Sequence, residues 1–120
     1  GEAGDARMIV GAAAVEIEIH GSHSLKEKRG VVQSICRRVR NRFNVAVSEV
    51  GHQDVWQRAV IGLAAAGSDA GIVRSALDRA LVFIEETHLA QVTHSSVEIL
   101  RLPYEASEDE VPDDLPWGEA

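Results

Sequence analysis

The sequence predicts an α+β domain in which two helices pack on one face of a four-stranded antiparallel sheet. Period-two alternation of apolar and polar side chains indicates strands near residues 8–19, 44–50, 58–66 and 91–102. Two segments of helical periodicity each follow residues that can cap a helix, Ser24 and the pair Ser68-Asp69. The aromatic share is only 4%, so the core is expected to consist of Val, Ile, Leu and Ala.

The first strand alternates Val15, Ile17 and Ile19 with polar residues, so its odd-numbered positions are expected to face the core. A capping box, Ser24-Leu25-Lys26-Glu27, then begins a helix that continues to about Arg42. At about 100° per residue, one arc of this helix forms an apolar stripe. The stripe comprises Leu25, Val32, Ile35, Cys36, Val39 and Phe43.

A hairpin follows, with a polar turn at Gly51-His52-Gln53-Asp54. The second helix is expected to continue to about Thr87, and the last strand to occupy residues 91–102. The order strand, helix, strand, strand, helix, strand is the split βαβ pattern of a ferredoxin-like βαββαβ sandwich. Right-handed crossovers then place both helices on the same face of the sheet.

Residues 8–102 are interpreted as this ferredoxin-like domain, preceded by an N-terminal extension at residues 1–7. Residues 103–120 carry seven carboxylates and no Lys or Arg, which predicts an acidic, mostly disordered tail. The single cysteine, Cys36, fits a reducing compartment. No signal peptide and no apolar run of about 20 residues is evident, so a cytoplasmic location without membrane association is expected.

The sheet face opposite the helices is predicted to be small and aliphatic, and it lacks the aromatic residues that RNA-recognition motifs use to stack bases. Such a face favours packing against a partner, most simply a second copy of the chain. Its predicted residues are Val10, Ala12, Ala14, Glu16, Glu18, Arg58, Val60, Gly62 and Ala64.

The first helix carries seven basic residues against one acid. One shoulder of its apolar stripe bears Lys26, Arg29, Arg37 and Arg40, which could contact nucleic-acid phosphates. The alternative is a solvated face whose arginines pair with carboxylates, including those of the tail. If the tail does bind there, it would compete with phosphate.

The hairpin residues His52, Gln53, Asp54, Trp56 and Arg58, together with Val60, are predicted to form a self-association interface. In this interpretation Trp56 anchors the hairpin, and Arg58 pairs either with Glu49 or with a carboxylate of a second copy. Acid–base or metal chemistry is the less favoured alternative. No metal site, cofactor motif or catalytic motif is identified, so an enzyme is not expected.

Two stretches, Ser24-Leu25-Lys26-Glu27-Lys28-Arg29 and residues 43–58 with their string Glu-Val-Gly-His-Gln-Asp-Val-Trp-Gln-Arg, resemble the YlxP-like family of small bacterial proteins of unassigned function. The resemblance spans residues 8–102. It implies a ferredoxin-like fold and brings no established catalytic residues. Members are commonly encoded beside translation-initiation and ribosome-maturation factors, which implies a role near the ribosome.

The sequence therefore predicts a non-enzymatic cytoplasmic accessory protein that binds ribosomal RNA or a ribosomal subunit through its first helix and forms a homo-oligomer. The alternative is a homo-oligomeric protein-interaction or small-ligand-sensing module that does not bind nucleic acid. An enzyme centred on His52, Asp54 and Arg58 is a third, less favoured class.

Overall fold

A computed structural model describes residues 6–107. Its elements are β1 (Arg7–Glu18), α1 (Leu25–Arg42), β2 (Ala46–Gly51), β3 (Arg58–Gly67), α2 (Ala70–Glu86) and β4 (Gln91–Pro103). All strand pairs are antiparallel, and the sheet order is β2-β3-β1-β4. This confirms the predicted ferredoxin-like α+β fold.

The odd-numbered side chains of β1 face the core, as predicted. Ile9, Val15 and Ile17 are at most 1% exposed and pack with the buried stripes of both helices. Gly11 lies on the same face, where an added Cβ would be 2.6 Å from Leu77 and 2.7 Å from Val73. The absence of a side chain at Gly11 therefore lets α2 approach the sheet closely.

Both helices begin at the predicted caps. The Ser24 hydroxyl accepts a hydrogen bond from the Glu27 N–H at 3.1 Å. Glu27 in turn accepts from the His23 N–H at 2.8 Å, one residue before the donor that a standard capping box uses. In α2 the Asp69 carboxylate accepts from the Ile72 N–H at 2.9 Å. These bonds satisfy backbone donors that have no partner inside the helix.

The sheet face opposite the two helices, called the open face from here on, carries the small residues that the sequence predicted. One row across it runs Ala46, Ala64, Ala12 and Glu98 in register. Larger apolar side chains lie at one corner of the sheet, where β1 begins and β4 ends. There Met8 is 37% exposed, and Leu100 and Leu102 are each 53% exposed.

A β-bulge interrupts the pairing of β2 with β3 between Glu49 and Gly51. At this bulge Val50 lies over Gly62, whose added Cβ would be only 2.9 Å from a Val50 methyl group. Val50 remains 58% exposed, so it adds an apolar side chain to the open face.

Most of the predicted N-terminal extension and of the predicted acidic tail lies outside the described residues, and the disorder expected of the tail stays a prediction. Arg7 is the first residue of β1 and Pro103 the last of β4. Neither helix within residues 6–107 combines the length and hydrophobicity needed to cross a bilayer.

Candidate nucleic-acid interface

A row of basic side chains follows one exposed face of α1. Lys26, Arg29, Arg37 and Arg40 are all exposed. At 3.6 residues per turn they fall within an arc of about 80°, and the rise of 1.5 Å per residue spreads them over about 21 Å. We refer to these four residues as the basic stripe.

Within residues 6–107, none of the four side chains of the basic stripe forms an ion pair with a carboxylate. Arg40 instead donates to the backbone carbonyl of Val47 at 3.3 Å, which directs its guanidinium toward β2. The carboxylate pairing considered for these residues is thus not made by the part of the chain that the structure describes.

The basic stripe borders a groove between α1 and β2, which is an outer strand of the sheet. Cys36 lies in this groove but is only 5% exposed, and burial raises the pKa of its thiol. A protonated thiol is a poor nucleophile. The groove is lined by Arg29, Val32, Gln33, Cys36, Arg37, Arg40, Ser48 and Glu49.

The other basic residues near the end of α1 are arranged differently. The Arg42 guanidinium lies over the ring of Phe83, 5.1 Å from its centroid. This cation–π contact directs Arg42 toward α2 and away from the basic stripe. Arg38 is exposed on the same side of α1 as Arg42.

Lys28, one of the seven basic residues of the first helix, is fully buried. Its ammonium donates to Glu49 Oε2 at 2.8 Å and to the carbonyls of His52 at 2.8 Å and Gln53 at 3.1 Å. The Arg58 carbonyl lies at 3.5 Å. Lys28 therefore ties α1 to both ends of the hairpin loop. The missed signal is its position, since residues 28, 32, 35 and 39 share one helical face.

Two structural expectations for the hairpin are wrong. Trp56 is 53% exposed and does not anchor the loop, because Lys28 performs that role from inside. Glu49 pairs with Lys28, so it is not the cross-strand partner of Arg58. Pairing of Arg58 with a carboxylate of a second copy stays a prediction.

The hairpin folds over the open sheet face through His52, which adopts a left-handed backbone with φ of 55°. Its Nε2 lies 2.9 Å from Glu16 Oε2, and the Thr93 hydroxyl donates to the same carboxylate at 3.3 Å. The hydrogen bond from His52 is the largest influence that lowers the pKa of Glu16.

Three of the six predicted interface residues thus come together, since His52, Arg58 and Val60 lie on or beside the open face. Gln53 is directed elsewhere and donates to the Glu49 carbonyl at 3.3 Å. Asp54 and Trp56 are exposed on the loop.

The histidines do not converge on a metal-binding arrangement in the described part of the chain. No three His, Cys, Asp or Glu side chains within residues 6–107 are placed to share a metal ion. His20 instead forms a hydrogen bond with Gln91, with 2.7 Å between Nε2 and Oε1.

Comparison with known proteins agrees with the resemblance in the sequence. Residues 10–97 match the model of a family described as "Protein of unknown function (DUF503)". A relative, "Uncharacterized protein YlxP" of Bacillus subtilis (strain 168), is 46% identical over 77 residues, covering 64% of this chain and 84% of the relative. A solved structure, the de novo designed protein Foldit4, aligns at a TM-score of 0.42 and 14% identity, covering 82% of this chain and 99% of its own. On the family match and the YlxP relative, the chain belongs to the DUF503 family of proteins of unknown function.

Proposed function

We propose that this protein is a non-enzymatic cytoplasmic accessory protein that binds RNA through the basic stripe. The observation that carries the proposal is the alignment of four exposed cations on one helix face, none paired with a carboxylate within residues 6–107. Unpaired Lys and Arg side chains in a row are suited to the phosphates of a nucleic-acid backbone. The role near the ribosome that the family resemblance implies favours ribosomal RNA or a ribosomal subunit as the partner.

Binding by the basic stripe would read the phosphate backbone and not the bases. The stripe contains no aromatic side chain, and the exposed rings of Trp56 and Tyr104 belong to the hairpin loop and the segment after β4. Binding should therefore be independent of sequence and sensitive to salt. If all four cations neutralise phosphates of a single strand, log K should fall with log[salt] at a slope of about −2.8.

The test is co-sedimentation with ribosomal subunits in sucrose gradients at low and moderate salt, with a fluorescence titration of a ribosomal RNA fragment. Arg37→Glu/Arg40→Glu should abolish salt-sensitive comigration and weaken RNA binding. Arg74→Glu/Arg79→Glu is a matched control, since it reverses two exposed arginines on α2 with the same change in net charge. Equal loss in both variants, or wild-type protein that binds no RNA, would contradict the proposal.

We also infer that the open sheet face supports self-association. The specific observation is that Met8, Val50, Leu100 and Leu102 on this face are between 37% and 58% exposed. Burial of apolar surface is worth about 25 cal/mol per Å², so covering this face with a second copy would be favourable. The alternative function, a homo-oligomeric interaction or ligand-sensing module, requires that the protein self-associates and does not bind RNA.

Light scattering of the purified protein tests self-association. Leu100→Asp should shift the measured mass toward that of the monomer, because it places a charge in the apolar face. Val82→Asp is the control, since Val82 is equally exposed, at 51%, but belongs to α2. A monomeric mass for the wild-type protein at high micromolar concentration would exclude the interface.

A further inference from the structure

The basic stripe has a candidate ligand within its own chain. Beyond the described residues, the segment 108–119 carries six carboxylates and no Lys or Arg. We propose that this segment binds the basic stripe, along the groove between α1 and β2, and competes there with RNA. The competition rests on the proposed function, whereas binding of the segment does not. The six acids are Glu108, Asp109, Glu110, Asp113, Asp114 and Glu119.

The charges of α1 are suited to an acidic segment. The acid within α1, Glu27, already accepts a hydrogen bond from the His23 N–H and leaves the stripe without a carboxylate of its own helix. By contrast, α2 carries acids among its arginines, namely Asp78, Glu85 and Glu86. The uncompensated positive charge of the described helices is therefore concentrated along the basic stripe.

The topology brings the segment to the correct end of the groove. Glu98 lies in the same cross-sheet row as Ala46, so Pro103 lies beyond the start of β2, at the end of the sheet where α1 finishes. Crossing three strand spacings requires about 14 Å. Pro103 pairs with Arg7, five residues before the row of Ala12 and Ala46, which adds about 17 Å along the strands and brings the separation to about 22 Å. The ten residues from Pro103 to Asp113 can extend about 33 Å, so the acids from Asp113 onward can reach Arg40.

The lengths of the two charged rows also match. The six steps from Asp113 to Glu119 extend about 20 Å at 3.3 Å per residue. The basic stripe from Arg40 back to Lys26 covers about 21 Å. An extended segment entering at Arg40 would thus place Asp113 and Asp114 near Arg40 and Arg37, and Glu119 toward Arg29 and Lys26.

Carbodiimide coupling followed by peptide mass mapping tests this contact directly. The chain has two lysines, and Lys28 is buried, so Lys26 supplies the accessible lysine amine. Arg37→Lys and Arg40→Lys place amines further along the stripe without changing charge. Each should couple to carboxylates of residues 108–119 within the monomer. Arg74→Lys places an amine on α2, which should not couple to these carboxylates. Absence of such links at residues 26, 37 and 40, or equal coupling at residue 74, would overturn the proposal.

A second experiment measures competition with a single-stranded oligoribonucleotide at low salt. Asp113→Asn/Asp114→Asn/Glu119→Gln should raise RNA affinity by about fivefold or more, the lower range of coupling between competing ligands. Asp78→Asn/Glu85→Gln/Glu86→Gln removes the same charge from α2 and should raise the affinity much less. If RNA affinity rises equally in the two variants, the change in net charge alone explains the effect and the proposed competition is wrong.

The two experiments separate this proposal from the proposed function. If neither variant nor wild type binds RNA, the proposed function fails, and the coupling result alone decides whether the segment occupies the groove. If RNA binds and the links form but the affinity does not change, the segment binds without competing and the regulatory part is wrong.

Discussion

The Lys28 ammonium lies 2.8 Å from the Glu49 carboxylate and joins α1 to β2 beneath the hairpin loop. The lysine side chain is 0% exposed, whereas the glutamate side chain retains 18% exposure. The pair is accompanied by hydrogen bonds to the carbonyls of His52 and Gln53. A buried cation is tolerated when its donors are satisfied in this way.

Lys28→Met should destabilise the protein by about 3 kcal/mol, the lower range for breaking a buried ion pair, because the partly exposed Glu49 can regain some hydration. The substitution keeps the length of the side chain but leaves the loop carbonyls without their donor. Lys26→Met is the matched control, since Lys26 is exposed two residues away and should change stability by less than about 0.5 kcal/mol. Urea unfolding at constant m-value measures both, and equal effects would contradict the role assigned to Lys28.

Gly11→Ala should cost about 1–3 kcal/mol through overpacking. The added methyl would approach the side chains of Leu77 and Val73 to 2.6 and 2.7 Å, so α2 or its side chains must shift. Gly30→Ala is a control in α1, because an added Cβ there meets no atom within 4 Å apart from its chain neighbours and the helix's own backbone. Thermal unfolding should show a lower Tm for the first variant and an unchanged or higher Tm for the second.

The contact between His52 and Glu16 predicts a pH dependence. Because the folded-state pKa of Glu16 lies below its ordinary value of 4.5, its contribution to stability is present above that pH and is lost as pH falls through the lowered pKa. His52→Gly removes the imidazole and tolerates the positive φ of 55°. The pKa of Glu16, followed by carboxyl NMR, should rise in this variant and stay low in His23→Ala. An unchanged pKa in His52→Gly would contradict the assigned cause.

Cys36 should react slowly with a thiol reagent in the native protein. Its thiol is 5% exposed, and burial raises its pKa, so both access and the thiolate fraction are low at neutral pH. Labelling with an aromatic disulfide should accelerate strongly in denaturant. Rapid stoichiometric labelling of the folded protein would show instead that the groove between α1 and β2 opens readily.

Local sequence patterns predicted the helices and strands well because each pattern has one dominant physical cause. Alternation in β1 follows from a sheet buried on one face, and the caps at Ser24 and Asp69 follow from backbone donors that need acceptors. The bulge at Glu49 and Gly51 was not predicted, since it depends on how β2 pairs with β3 and not on the composition of either strand.

Of the candidate site, only the exposed residues of the basic stripe could be predicted from the sequence. Helical geometry alone aligns the basic stripe, so the sequence placed it correctly on one shoulder of α1. The role of Lys28 depends on carbonyls 24 to 30 residues away along the chain, which no local pattern contains. The sequence therefore gives no role to Lys28 beyond its charge, and it wrongly predicts that Trp56 anchors the hairpin.

Three of the four acceptors around the Lys28 ammonium are backbone carbonyls, those of His52, Gln53 and Arg58. A carbonyl is present whatever side chain its residue carries, so these contacts constrain the path of the loop and not the side chains of His52, Gln53 and Arg58. Substitutions between Gly51 and Arg58 can thus preserve the hydrogen bonds of the Lys28 ammonium. A single insertion or deletion there would displace the carbonyls that accept these bonds. In this loop, the number of residues matters more to the fold than their identity.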